Sequence, residues 1–251
     1  MSTLRIAAAQ SISFPGNLAA NVERHCAFVD KAASIGAQLL LFPELSLSGY
    51  EPDLIAECVV APVGEELLPL RALSQRHEIT LVLGAPLQST DAQRPYIGAV
   101  VLFPDGSHTL YHKRHLHQSE ERWASQGTVD ASSFALLGER FALAICADTS
   151  HAEHAAAAAA TGASFYLASS LISQSGYATD SAALQAHALQ HGYGVLLANH
   201  GGPSGNYAAA GQSSFWDAQG KRVGCTNGPG ERVLLIGREQ GYWTSETIVL
   251  A

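Results

Sequence analysis

Three apolar stretches of this chain each run into one residue able to do covalent or acid–base chemistry. Leu39-Leu40-Leu41-Phe42-Pro43 meets Glu44, His108-Thr109-Leu110-Tyr111-His112 meets Lys113, and Phe141-Ala142-Leu143-Ala144-Ile145 meets Cys146. Singly, each has an ordinary reading. A Cys that ends an apolar strand is commonly inert core, and a lone Glu or Lys commonly faces solvent. Jointly they form a set suited to nucleophilic catalysis. A thiol attacks as thiolate, and thiolate forms beside a base or a cation. In sheets that alternate with helices, ligands gather beyond the carboxyl ends of strands. One cleft could therefore collect a carboxylate, an ammonium and a thiol.

The elements that would position these residues alternate along the chain. Leu4–Gln10 reads as a strand, and Asn17 as the cap of a helix reaching about Ser34. Residues 37–41 form a strand closed by Phe42-Pro43. A helix around 65–76 and a strand over 80–83 follow. Residues 97–103 and 108–112 are strands joined at Asp105-Gly106, a strong hairpin signal. Residues 134–137 and 140–145 pair about Gly138. The six alanines from Ala155 to Ala160 read as helix, since Ala has the best helix propensity. A strand over 163–167, a helix around 180–191 and a strand over 194–198 come next. The remaining strands are 211–216, 222–225 and 232–236. Repeated strand–helix units with interspersed hairpins predict an α/β fold with mixed pairing.

Composition narrows the function classes. The chain has 251 residues, 47% apolar and 14% charged, which argues against disorder. Its net charge of −8 argues against a non-specific nucleic-acid grip and against an anionic membrane surface. No apolar run reaches the roughly 20 residues of a membrane span, and the start, MSTLRIAAAQ, lacks signal-peptide character. Four scattered cysteines with no CxxC pair suit a reducing cytoplasm rather than a disulfide framework. No linker or repeat divides the chain, so residues 1–251 read as a single domain. His108, His112, His115 and His117 cluster in sequence, as do His151 and His154, but ligand type alone is a weak metal signal and no metal is expected.

The sequence resembles the nitrilase, or carbon–nitrogen hydrolase, superfamily. The resemblance rests on Phe42-Pro43-Glu44-Leu45 with Gly49-Tyr50, on Tyr111-His112-Lys113-Arg114-His115-Leu116, and on Ile145-Cys146-Ala147-Asp148, in the family's order. It implies a four-layer α-β-β-α sandwich with mixed β-sheets and a Glu-Lys-Cys triad. Glu44 would be the general base and acid, Lys113 the cationic stabiliser and Cys146 the nucleophile. A second acid is implied before Gly127; Glu120 fits best, with Glu121 adjacent. The backbone N–H of Ala147 would join Lys113 in holding the oxyanion. Tyr50, Ser169 and Ser170 are candidates for lining the substrate pocket. The implied activity is hydrolysis of a small-molecule amide or N-carbamoyl compound through a Cys thioester, with no cofactor. A homodimer or higher homo-oligomer is expected. Ala147-Asp148 stands where nitrile-hydrolysing members carry Trp-Glu, which favours an amidase over a true nitrilase. A catalytically silent binding protein on the same fold is the remaining alternative. An amidotransferase with a Gly-flanked nucleophile elbow is disfavoured, because no glycine flanks Cys146.

Overall fold

A computed structural model describes residues 3–89 and 94–250, so the extreme ends of the 1–251 span lie outside the described residues. In chain order the elements are β1 (Leu4–Gln10), α1 (Leu18–Ser34), β2 (Leu39–Leu41), α2 (Leu68–His77), β3 (Thr80–Leu87), β4 (Tyr96–Leu102), β5 (His108–His112), β6 (Ser132–Leu136), β7 (Glu139–Ile145), α3 (Ala152–Ala160), β8 (Phe165–Ser170), α4 (Tyr177–His191), β9 (Gly194–Asn199), β10 (Ser214–Trp216), β11 (Arg222–Cys225), β12 (Arg232–Glu239) and β13 (Tyr242–Val249).

Two mixed sheets result. One runs β13-β12-β1-β2-β3-β4-β5 and the other β11-β10-β9-β8-β7-β6. Within the first, β1, β2 and β3 are parallel and the flanking pairs antiparallel. Within the second, β7, β8 and β9 are parallel. Alternation along β1 shows how the layers stack. Leu4, Ile6 and Ala8 face a core that also holds Phe141, Leu167 and Phe215 of the second sheet. Ala7 and Ala9 face the opposite way, with Phe28, Val29 and Leu70 of α1 and α2. On the far side, Tyr166 and Val195 pack with Ala158 and Leu184 of α3 and α4. Both faces of the central strands are buried, which explains their nearly unbroken apolar sequences. The architecture is the α-β-β-α sandwich that the motifs imply. No helix among the described residues is long and apolar enough to cross a membrane.

Several boundaries differ from the sequence reading, each for a local reason. Residues 65–67 form a 3-10 turn before α2, with Pro69 in the helix's first turn. Helix α4 begins a turn earlier than expected, at Tyr177. Strand β3 continues through Pro86. Its neighbour β2 pairs only as far as Val82, and beyond that loop residues Leu47 and Val60 donate to Gly84 and Pro86 carbonyls. Proline is tolerated there because its flank toward β2 no longer belongs to a regular ladder. Strand β13 was not expected at all. Its sequence, YWTSETIV, is polar because it is an edge strand and largely exposed.

Candidate active site

The strand ends place the chemistry. β2 and β5 run in the same direction within the first sheet, and β7 ends at the same edge of the sandwich. Glu44 lies three residues beyond β2, Lys113 one residue beyond β5, and Cys146 directly after β7. Lys113 Nζ donates to Glu44 Oε1 at 2.6 Å and to Glu120 Oε1 at 2.7 Å. All three side chains are buried, so these charge-assisted bonds act in a low-dielectric setting. Tyr50 Oη also donates to Glu120 Oε1, at 2.7 Å, and the His117 N–H donates to Glu120 Oε2 at 2.8 Å. Glu121 is exposed, so Glu120 is the acid that meets Lys113.

Cys146 opens a 3-10 turn over Cys146–Ser150, with a left-handed φ of 43°. A non-glycine residue there stores strain, a feature concentrated at functional sites. The elbow is thus made without flanking glycines. Asp148 holds it. Its Oδ2 accepts from the Ile145 N–H (3.0 Å) and Tyr111 Oη (2.7 Å). Its Oδ1 accepts from the Arg114 (3.1 Å) and His115 (2.8 Å) N–H groups. One buried carboxylate therefore ties the Cys146 turn to the segment that carries Lys113.

The Glu44 loop is braced from several elements. Ser169 Oγ donates to the Phe42 carbonyl at 2.8 Å, and His200 Nε2 donates to the Glu44 carbonyl at 2.6 Å. His25 Nε2 lies 2.9 Å from Ser46 Oγ and its ring stacks on Phe42. Gly84 passes so close that a Cβ would lie 2.0 Å from the Pro43 carbonyl oxygen. Gly127 likewise leaves no room, since a Cβ there would lie 2.3 Å from the His112 carbonyl oxygen. These glycines permit close backbone approach behind Glu44 and Lys113.

Burial pushes the Glu44 carboxyl up to about 7; Lys113 pulls it down and Glu120 pushes it up. Burial also raises the Cys146 thiol well above its ordinary value, with Glu44 adding to the rise and Lys113 opposing it. Cys146 keeps some accessible surface, and we read that surface as the opening onto the cavity while protein crowds the sulfur elsewhere. Lys113 is lowered by burial but raised further by Glu44, Cys146 and Glu120, so it stays an ammonium. Glu44 Oε2 is buried with no hydrogen-bond partner. The nearby thiol nonetheless lowers the Glu44 pKa as a hydrogen-bond donor does. Sγ has weak contacts at 3.7 Å to His117 Nε2 and at 3.8 Å to the Leu171 carbonyl.

Glu44, Tyr50 and Cys146 line a cavity of ≈ 490 Å³. Its walls come from His117, Gln118 and Ser119, from Thr149 and Ser150, from Leu171 to Ser173, and from Asp180 and Tyr207. Ala147 follows Cys146 at the head of the turn and is buried. Two expectations need correction: Ser169 and Ser170 do not line the cavity. β8 extends through Ser170, so both serines belong to the strand and the first wall residue is Leu171. Ser169 braces the Glu44 loop instead, and Ser170 Oγ is buried without a partner. His117, Asp180 and Tyr207 were not singled out as pocket residues. His117 lies beyond β5 and Asp180 within α4, and only the fold brings them to one cavity.

The clustered histidines disperse. His112 stacks on Tyr96, and His154 bonds Tyr111 Oη and Tyr166 Oη through its two ring nitrogens. Among the described residues one trio of ligand-type side chains remains, His115, His151 and Glu153. The two rings stack face to face at 3.8 Å, and His151 Nδ1 lies 3.0 Å from Glu153 Oε1.

The chain is similar to several known proteins. A mutant of the amidase from Nesterenkonia sp. AN1 in complex with butyramide superposes with a TM-score of 0.86 at 26% identity, covering 95% of this chain and 92% of that one. Another variant of that amidase, carrying the acetamide moiety of fluoroacetamide on its active-site cysteine, gives 0.84 at 26% identity over 92% and 89%. An arylacetonitrilase from Macrophomina phaseolina is 29% identical over 124 residues, 45% of this chain and 36% of that protein. A glutamine-dependent NAD(+) synthetase from Acinetobacter baylyi is 28% identical over 154 residues, 59% of this chain and 28% of that protein. The matches thus span about a third of the lengths of these two relatives. The carbon-nitrogen hydrolase family model matches residues 5–244, and the chain belongs to that family.

Proposed function

We propose that the protein is a thiol-dependent amidase that hydrolyses a small-molecule amide or N-carbamoyl compound, with Glu44, Lys113 and Cys146 as its triad. One observation carries the reading. Glu44, one of whose carboxylate oxygens has no hydrogen-bond partner, and Cys146 line one cavity, with Lys113 Nζ held between Glu44 and Glu120.

Glu44 Oε2 takes the thiol proton as Sγ bonds to the amide carbon. Two of the three Lys113 protons are committed to carboxylates, leaving the third for the developing oxyanion, beside the Ala147 N–H. Collapse breaks the C–N bond, and Glu44 returns its proton to the leaving nitrogen. Water then gives a proton to Glu44 as its oxygen attacks the thioester. The C–S bond breaks, Sγ regains a proton from Glu44, and the acid leaves. Glu120 keeps Lys113 in place, and Tyr50 and His117 steady Glu120. No step calls for a cofactor. The arylacetonitrilase likeness keeps nitrile hydrolysis as the second reading.

Ammonia release from amides, N-carbamoyl compounds and nitriles tests both. Amide turnover, an acyl mass on Cys146, and a folded Cys146→Ala variant at least about 10³-fold slower would support the amidase. Release from nitriles alone would select the nitrilase, and full activity in Cys146→Ala would sink both. All four cysteines are free, which supports a cytoplasmic location. We expect a homodimer or higher assembly, which light scattering after size exclusion would read.

A further inference from the structure

We propose that Asp180 is a specificity-determining residue that selects amides whose acyl chain ends in a cationic amine. The proposal rests on the amidase reading and names its substrate class. Asp180 lies in the first turn of α4 and lines the same cavity as Cys146. Its carboxylate is half-buried, yet among the described residues it has no hydrogen bond and no ion pair. An acid in a helix's first turn can simply answer the helix dipole. Here, however, no side chain caps α4, and burial leaves the carboxyl raised, with only His117 lowering it.

The cavity holds nothing to neutralise it. Among the described residues no Arg or Lys lines the cavity, and the buried Lys113 is committed to Glu44 and Glu120. His117 stands between Cys146 and Asp180, but burial and Lys113 hold its ring below its ordinary value, so it is neutral near pH 7. The adjoining cavity shares Tyr50, Ser119 and Tyr207 with this one and adds Glu51 and Asp53, again without Arg or Lys. An uncompensated half-buried carboxylate is disfavoured unless something pairs with it. A substrate ammonium would do so, while a substrate carboxylate would be repelled.

The test compares 3-aminopropanamide, 4-aminobutanamide and 5-aminopentanamide with butanamide, pentanamide and hexanamide, their isosteres. For the best-fitting pair, kcat/KM should favour the amine by about tenfold or more, as a charge-assisted hydrogen bond allows. In Asp180→Asn that ratio should fall close to one, and Asp180→Lys should prefer succinamic acid. A ratio at or below one in the native enzyme, or unchanged in Asp180→Asn, overturns the proposal. The same pairs are titrated calorimetrically into Cys146→Ala with and without Asp180→Asn. Selective binding that depends on Asp180 without any turnover would sink the amidase reading and keep the subsite. Equal binding of amine and isostere would sink the subsite alone.

Discussion

At the cavity floor Lys113 lies 2.6 Å from Glu44 and 2.7 Å from Glu120, and all three are fully buried. On the outer wall the half-buried Asp180 carboxylate has no hydrogen bond or ion pair among the described residues, and Ser150 is exposed. Lys113 is held between the two floor carboxylates before any substrate arrives, so its position is preorganised. The side chains of Asp180 and Ser150, by contrast, have no hydrogen-bond partner among the described residues and are left to water or to what binds. Chemistry and selectivity are therefore held by different physical means. A change at the floor should cost fold and rate together, and a change at the wall should touch rate alone.

Lys113→Met gives the harshest test of that division. It leaves two carboxylates facing each other without their cation. Urea titration should show a loss of about 3–5 kcal/mol, since removing one partner of a buried pair strands the other. Turnover should fall at least about 10²–10³-fold. A variant of native stability would erase the contrast between floor and wall.

Gly84→Ala reaches the floor from behind. Its methyl would meet the Pro43 carbonyl, so the Glu44 loop must shift. We expect about 1–3 kcal/mol lost in thermal or urea unfolding. Misplacing the base should slow turnover by up to about 10²-fold. Unchanged kinetics would mean that Glu44 tolerates displacement.

Acidification separates rate from stability. With Glu44 at about 7, kcat/KM should fall about tenfold per unit as pH drops below 7, because the protonated carboxyl cannot act as base. The apparent value belongs to the Glu44–Cys146 pair. Stability has its own window. Burial holds His25 and His200 at about 4, so the unfolded chain binds protons more readily. Stability from these two is present above 6.5 and is lost as pH falls toward 4. A kcat/KM profile and a series of melting temperatures read the two effects. A flat melting temperature over that interval would show that these histidines do not stay neutral.

The smallest effect should come from Ser150→Ala on the wall. Stability should stay within about 0.5 kcal/mol. Rates on small neutral amides should stay within about twofold. A loss matching that of Gly84→Ala would place Ser150 among the structural residues of the floor.

How much of this was legible in the sequence divides along the same line. Glu44, Lys113 and Cys146 stand directly after apolar runs, and strand ends are written locally. The order of those runs predicts mixed α/β, and the four-layer sandwich came with the family resemblance. The bracing was not legible. Ser169 reaches Phe42 across 127 positions and His200 reaches Glu44 across 156. No local pattern encodes such distances. Ser169 and Ser170 were misplaced because the end of β8 is set by pairing to β9, which runs to Asn199. β13 escaped notice because an exposed edge strand lacks the apolar alternation that marks half-buried ones.

Glu44 and Lys113 hang from one sheet and Cys146 from the other, with the apolar layer of Ile6, Phe141 and Leu167 between those sheets. During synthesis the thiol therefore has no base beside it until the halves close. On the amidase reading, the nucleophile gains its base only when the two sheets have docked. Thiol labelling rate could then serve as a clock for the completion of folding.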